Sequence, residues 1–102
     1  MSITPEMITF ATDLFAPLGA ITSRKMMGGL AIYQDGVIFA SLDDAGTVFL
    51  KAKGDFADTL AAEGSSQFQT HRGPMGYWTL PVAALDDPDL ACVWGQKALD
   101  AL

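Results

Sequence analysis

The chain has 102 residues, of which 50% are hydrophobic and 18% are charged, and its formal net charge is −6. This length and apolar content fit one folded domain, residues 1–102, and argue against extended disorder. The negative charge argues against direct binding to nucleic acid or to anionic lipid, because both kinds of partner attract Lys and Arg.

Several sequence features indicate the compartment. No run approaches the roughly 18 apolar residues of a membrane span, and the first six residues do not resemble a signal peptide. The single cysteine, Cys92, cannot form an internal disulfide and suits a reducing compartment. We therefore expect a cytoplasmic protein without a membrane segment.

The first predicted element is a helix. Thr4 is suited to cap it, Pro5 fits its first turn, and apolar residues recur every three or four positions until Leu18. Four strands are then predicted, over residues 21–27, 30–34, 37–42 and 47–52. The Asp35-Gly36 pair between two of these runs is typical of a type I′ hairpin turn, in which both central residues need a positive φ.

The second half of the chain is predicted to contain a helix, two short strands and a final helix. The helix occupies residues 54–64, and the strands lie around Phe68 and over residues 77–80, with a loop at 71–76 between them. The final helix begins with Asp87 as its cap and a proline in its first turn. Its apolar stripe, which we expect to be buried, comprises Leu90, Val93, Trp94, Ala98 and Ala101.

The order helix, four strands, helix, two strands, helix predicts an α+β fold. We expect a bent antiparallel sheet with the helices packed mainly on one face. Strands with one solvent-exposed face should alternate apolar and polar side chains. Residues 37–40 and 48–50 do not show this alternation. The second face is then either curled into a concave core or covered by a second subunit, and we predict a homodimer.

Three motifs occur in order along most of the chain. They are Arg24-Lys25-Met26-Met27-Gly28-Gly29-Leu30, Tyr33-Gln34-Asp35-Gly36 and Met75-Gly76-Tyr77-Trp78-Thr79-Leu80-Pro81. Together they resemble the N-terminal domain of the TfoX/Sxy family of bacterial competence regulators.

The resemblance implies a secretion-chaperone-like α+β fold, frequent dimerisation and a regulatory role without known catalysis. Such a domain acts through protein contacts, as a co-activator beside a transcription factor. The expected partners are therefore a second copy of the chain and a transcription factor or another regulatory protein. Full-length competence regulators carry a further C-terminal helical domain, whereas this sequence ends at Leu102, so we expect a stand-alone domain.

A basic segment supplies the candidate binding residues, which are Arg24, Gly28, Gly29, Lys51 and Arg72. Cations beside glycines, whose backbone a ligand can approach closely, favour an anionic ligand. The alternative function is therefore a sensor or small enzyme for such a ligand. Structural roles remain open: a salt bridge from Arg24 to Asp35 or Asp55, and a bulge or tight turn at the two glycines, which do not form a phosphate-loop motif.

No catalytic residue, metal site or cofactor is expected. His71 has no nucleophile or orienting group in any known motif, and one His with one Cys cannot complete a four-ligand zinc site. Cys92 is expected to be a small buried residue. Four aromatic residues are expected in the core rather than in a binding platform: Phe68, Tyr77, Trp78 and Trp94.

Overall fold

A computed structural model describes residues 3–26, 29–70 and 73–102 of the chain. The helices are α1 (Pro5–Phe15), α2 (Asp55–Ala62) and α3 (Pro88–Asp100). The strands are β1 (Ile21–Met26), β2 (Gly29–Gln34), β3 (Val37–Leu42), β4 (Val48–Lys51), β5 (Gln67–Thr70) and β6 (Gly73–Thr79). The predicted order of helices and strands is confirmed. Within the described ranges, no helix has the length and apolarity needed to cross a membrane.

The two longer helices begin where the sequence predicts. Thr4 Oγ1 accepts a hydrogen bond from the backbone N–H of Met7 at 3.2 Å, and Asp87 Oδ1 accepts one from Leu90 at 3.2 Å. A proline follows each cap in the first turn, where its missing N–H removes no intrahelical bond. Local side-chain chemistry therefore sets both helix starts.

The six strands form one antiparallel sheet in the order β1-β2-β3-β4-β6-β5. Asp35 and Gly36 join β2 to β3 with φ angles of 50° and 81°, which confirms the predicted hairpin turn. In the next turn, Asp43 Oδ1 accepts hydrogen bonds from the N–H groups of Ala45 and Thr47. β1 and β5 are the two edges of the sheet.

The core lies between the helices and one side of the sheet, called here the helix face. Its central strand residues, each at most 2% exposed, are Leu30, Ile32, Ala40, Leu42, Val48 and Leu50. Ile32 lies opposite Ala40 and Tyr33 opposite Ile38, so Phe39 is an extra residue in β3. This bulge also directs Phe39 into the core, where its ring meets Phe15 edge-on at 5.2 Å.

The buried stripe of α3 differs from the prediction. Ala91, Trp94, Gly95 and Ala98 are buried, whereas Leu90 is only partly buried, Val93 is 50% exposed and Ala101 is exposed. A Cβ added at Gly95 would lie only 3.0 Å from a Leu18 methyl and 3.2 Å from the Phe39 ring. The helix therefore docks through its small residues, because their lack of bulk lets it approach the core closely.

The loop predicted over residues 71–76 is wrong for the part that the structure describes. β6 begins at Gly73 and pairs with β5 through Thr70↔Gly73 and Gln69↔Pro74. The carbonyl of Gly76 also accepts a 2.9 Å hydrogen bond from the N–H of Ala52. Pairing with distant strands therefore overrides the local Gly and Pro content.

Candidate functional site

The side of the sheet opposite the helix face is not covered by any of the described helices. Strand register places five residues in one row across β1, β2, β3, β4 and β6: Arg24, Ala31, Ser41, Phe49 and Thr79. Residues in register on an antiparallel sheet project to the same side. This row therefore belongs to one continuous surface.

A second set of residues completes this surface. Thr22, Tyr33 and Ile38 are in register on β1, β2 and β3, and Lys51 is in register with Tyr77 on β4 and β6. Phe68 of β5 joins them, because its ring lies 4.9 Å from the Phe49 ring in an edge contact. The two sets and Phe68 form what we call the open face.

The open face is concave and partly shielded from water. Ala31 is fully buried and Phe49 is 6% exposed, although neither belongs to the core under the helices. Burial raises the pKa of Tyr77, and repulsion from the charged form of Tyr33 raises it further. The strands of these tyrosines are three spacings apart, about 14 Å in a flat sheet. The interaction of the two tyrosines therefore acts across the strands β3 and β4 of the open face.

We expect Tyr77 to ionise above the ordinary tyrosine value of 10.0. Above the ordinary value of 10.0, the unfolded chain loses this proton before the folded chain does, so stability should fall as the pH rises through that window. Ultraviolet titration of the Tyr33→Phe variant isolates Tyr77. In this variant, the pKa of Tyr77 should stay above 10.0 but be lower than the pKa of Tyr77 in the unmodified chain. A pKa at or below 10.0 would contradict the burial of Tyr77.

Two of the five predicted binding residues lie on the open face. Arg24 is exposed on the edge strand β1, and Lys51 is half-buried on β4. Their strands are three spacings apart, about 14 Å in a flat sheet, so they do not form one compact site. Gly28 and Arg72 lie outside the described residues.

The salt bridge considered for Arg24 is not formed. In the described part of the chain, Arg24 has no ion pair with Asp35 or with Asp55, and Lys25 on the opposite side of β1 is exposed as well. Both cations therefore remain in water, as their position on the edge strand β1 allows.

A backbone contact explains Gly29. A Cβ at this position would lie 2.6 Å from the carbonyl oxygen of Leu42 on β3. This distance is shorter than a van der Waals contact between a carbon and an oxygen atom. The glycine therefore allows β2 and β3 to come close together, and its role in the described structure is structural.

Cys92 has no surroundings that would activate it. The side chain is half-buried between α3 and α1, and its Sγ donates a hydrogen bond to the carbonyl of Leu14 at 3.6 Å. Burial raises the pKa of the thiol and Asp89 adds to this, while a backbone hydrogen bond at Leu18 opposes it. A raised pKa keeps the sulfur protonated and weakly nucleophilic. His71 lies outside the described residues.

Charge is unevenly distributed between the sheet and the rest of the chain. All twelve Asp and Glu residues lie outside the six strands, whereas the strands carry Arg24, Lys25 and Lys51. In the described strands, the open face therefore presents two cations and no acid. Such a surface suits contact with apolar and anionic groups.

Part of this surface was not predictable from the sequence pattern alone. Trp94 is buried and Trp78 packs against the core as predicted, but Phe68 and Tyr77 are half-buried on the open face rather than in the core. The sequence includes Phe49 only within the apolar run of residues 48–50, which predicts a covered second face without assigning Phe49 to it. Phe49 alternates along β4 with a core residue on either side, which indicates that it projects to the opposite side of the sheet. The strand register is needed to show which other residues share that side.

The chain was compared with known proteins. No curated protein matches it by sequence. The model of the TfoX N-terminal domain family matches residues 13–102, a range that includes all six strands, α2 and α3. This is a family of regulatory-type domains and not a known enzyme family. Because the match spans nearly the whole chain, the chain belongs to the TfoX N-terminal domain family.

Proposed function

We propose that the chain is a non-catalytic, cytoplasmic regulatory domain that acts through protein contacts made by the open face. One observation carries the proposal: aromatic side chains, with Phe49 at 6% exposure among them, line a concave sheet surface that no described helix covers. Phe68 and Tyr77 are only half-buried on this face, and apolar surface that remains exposed marks interaction sites on folded domains. Family membership supports a regulatory role in general, and a transcription factor or another regulatory protein is the proposed partner.

A second copy of the chain is proposed to cover this face as a homodimer. Phe49, Phe68 and Tyr77 supply an apolar half of the surface on β4, β5 and β6. Arg24 lies at the opposite edge of the sheet, where its charge remains solvated when the apolar halves meet.

Ser41 provides the test, because it lies on the open face of β3, near the middle of the sheet, and is only partly buried. The Ser41→Lys substitution puts a charge inside the proposed interface, where an unpaired charge is costly to bury. We expect the dimer to weaken by roughly tenfold or more, measured by light scattering over a dilution series.

The matched control is Thr9→Lys, which adds the same charge to an exposed position on α1, away from the sheet. This control should dimerise like the unmodified chain. Equal weakening by both substitutions would mean that added charge, and not the open face, controls association. Unchanged association of Ser41→Lys would exclude this face as the interface.

A further inference from the structure

A groove lies at one corner of the open face, where β1 meets the hairpin between β2 and β3. It encloses about 300 Å³ and is lined by Thr22, Ser23, Arg24, Tyr33 and Gly36. Small-molecule sites commonly occupy about 300–1,000 Å³, so the groove has room for a small ligand. The apolar half of the face, on β4 to β6, is separate from it.

The side chains in the groove are mostly hydrogen-bond donors. Arg24 contributes a guanidinium group with several N–H donors, and Thr22 and Tyr33 contribute hydroxyl groups. Arg24 is exposed and forms no ion pair within the described residues. Asp35, the acid in the turn between β2 and β3, does not line the groove.

The edge of β1 adds a main-chain donor. The N–H of Asp35 donates to the carbonyl of Ala20 at 2.9 Å, so these two residues form a hydrogen-bonded pair. Such pairs alternate along an antiparallel ladder, and Thr22 and Arg24 therefore also bond to β2. The N–H of Ser23 then points away from β2, at the free edge of the sheet beside the groove.

We propose that this groove binds a small phosphate monoester. The guanidinium of Arg24 matches two phosphate oxygens in a bidentate arrangement, and the hydroxyls of Thr22 and Tyr33 serve the remaining oxygen and the ester oxygen. This number of donors suits the three terminal oxygens of a phosphate better than the two of a carboxylate. A Cβ at Gly36 would meet nothing within 4 Å, so space remains for the organic group.

This site differs from the one expected from sequence. Lys51 lies three strands away and takes no part, whereas Thr22, Ser23 and Tyr33 were not predicted. The chain carries a net charge of −6, so its overall field repels anions. Binding must therefore come from the local donors, and it should depend strongly on Arg24.

Calorimetric titration of the full chain with phenyl phosphate at fixed ionic strength tests the proposal. We expect saturable binding, weakened about tenfold or more by Arg24→Gln, as loss of a charge-assisted hydrogen bond implies. Tyr33→Phe, which removes only a hydroxyl, should weaken binding by a smaller factor. The matched control Lys25→Gln removes the same charge from the opposite side of β1, and it should leave the affinity within about twofold.

Four results would overturn the proposal. The site is wrong if phenyl phosphate shows no saturable binding, or if Lys25→Gln weakens binding as much as Arg24→Gln. Tighter binding of citrate than of phenyl phosphate would exclude the phosphate assignment, and tighter binding of a phosphoserine peptide would exclude a small molecule. The proposed homodimer is tested separately, because Arg24→Gln should leave the mass in light scattering unchanged.

Discussion

Replacing Phe39 with alanine should lower the free energy of unfolding by about 3–5 kcal/mol. The Phe39 side chain is fully buried, its ring contacts Phe15, and it lies against Gly95 of α3. Truncation leaves a cavity where two helices meet the bulge of β3, and the surrounding backbone has little freedom to close it. This loss is a large share of the 5–15 kcal/mol by which domains are typically stable.

Urea denaturation measures this loss, with Phe10→Ala as the matched control. Phe10 is 43% exposed on α1, so the same truncation there should cost no more than about 0.5 kcal/mol. Equal losses of stability in the two variants would contradict the placement of Phe39 in the core.

The Gly29→Ala substitution should destabilise the fold by about 1–3 kcal/mol, although it adds only one methyl group. The new Cβ would lie 2.6 Å from the carbonyl oxygen of Leu42, and both atoms are fixed to the backbone. No side-chain rotation relieves this overlap, so β2 and β3 must move apart.

A second strand glycine provides the control for this effect. A Cβ at Gly76 would lie 3.8 Å from the carbonyl oxygen of Ala52, which is an ordinary contact. Gly76→Ala should therefore change stability by no more than about 0.5 kcal/mol in the same denaturation experiment. If Gly29→Ala and Gly76→Ala were equally stable, β2 and β3 would not approach each other as closely at Gly29 as the structure shows.

The features that the sequence predicted well are those that neighbouring residues determine. The caps at Thr4 and Asp87 depend on N–H groups three residues away, and the hairpin turn depends on Asp35 and Gly36 alone. Such interactions form within a few residues of each other, so composition and spacing reveal them.

The features that were predicted wrongly depend on residues far apart in the chain. The start of β6 at Gly73 depends on pairing with β5, and the buried side of α3 depends on the fit of Gly95 against Phe15 and Phe39. The bulge at Phe39 shifts the alternation of β3 by one residue, which a pattern of apolar residues cannot anticipate.

The candidate site was predictable only in part, for the same reason. Arg24 and Lys51 stood out as members of a basic segment in an acidic chain, but their separation on the sheet depends on strand order. Tyr33 and Phe49 became part of the site only when register assigned their faces, because a slip of one residue moves a side chain to the other side.

The central claim is that a second copy of the chain covers the open face. Light scattering on the unmodified chain at micromolar concentration tests it most directly. We predict a mass of about twice 10.8 kDa, which falls toward 10.8 kDa in the Ser41→Lys variant. A mass of 10.8 kDa for the unmodified chain at every concentration would contradict the claim.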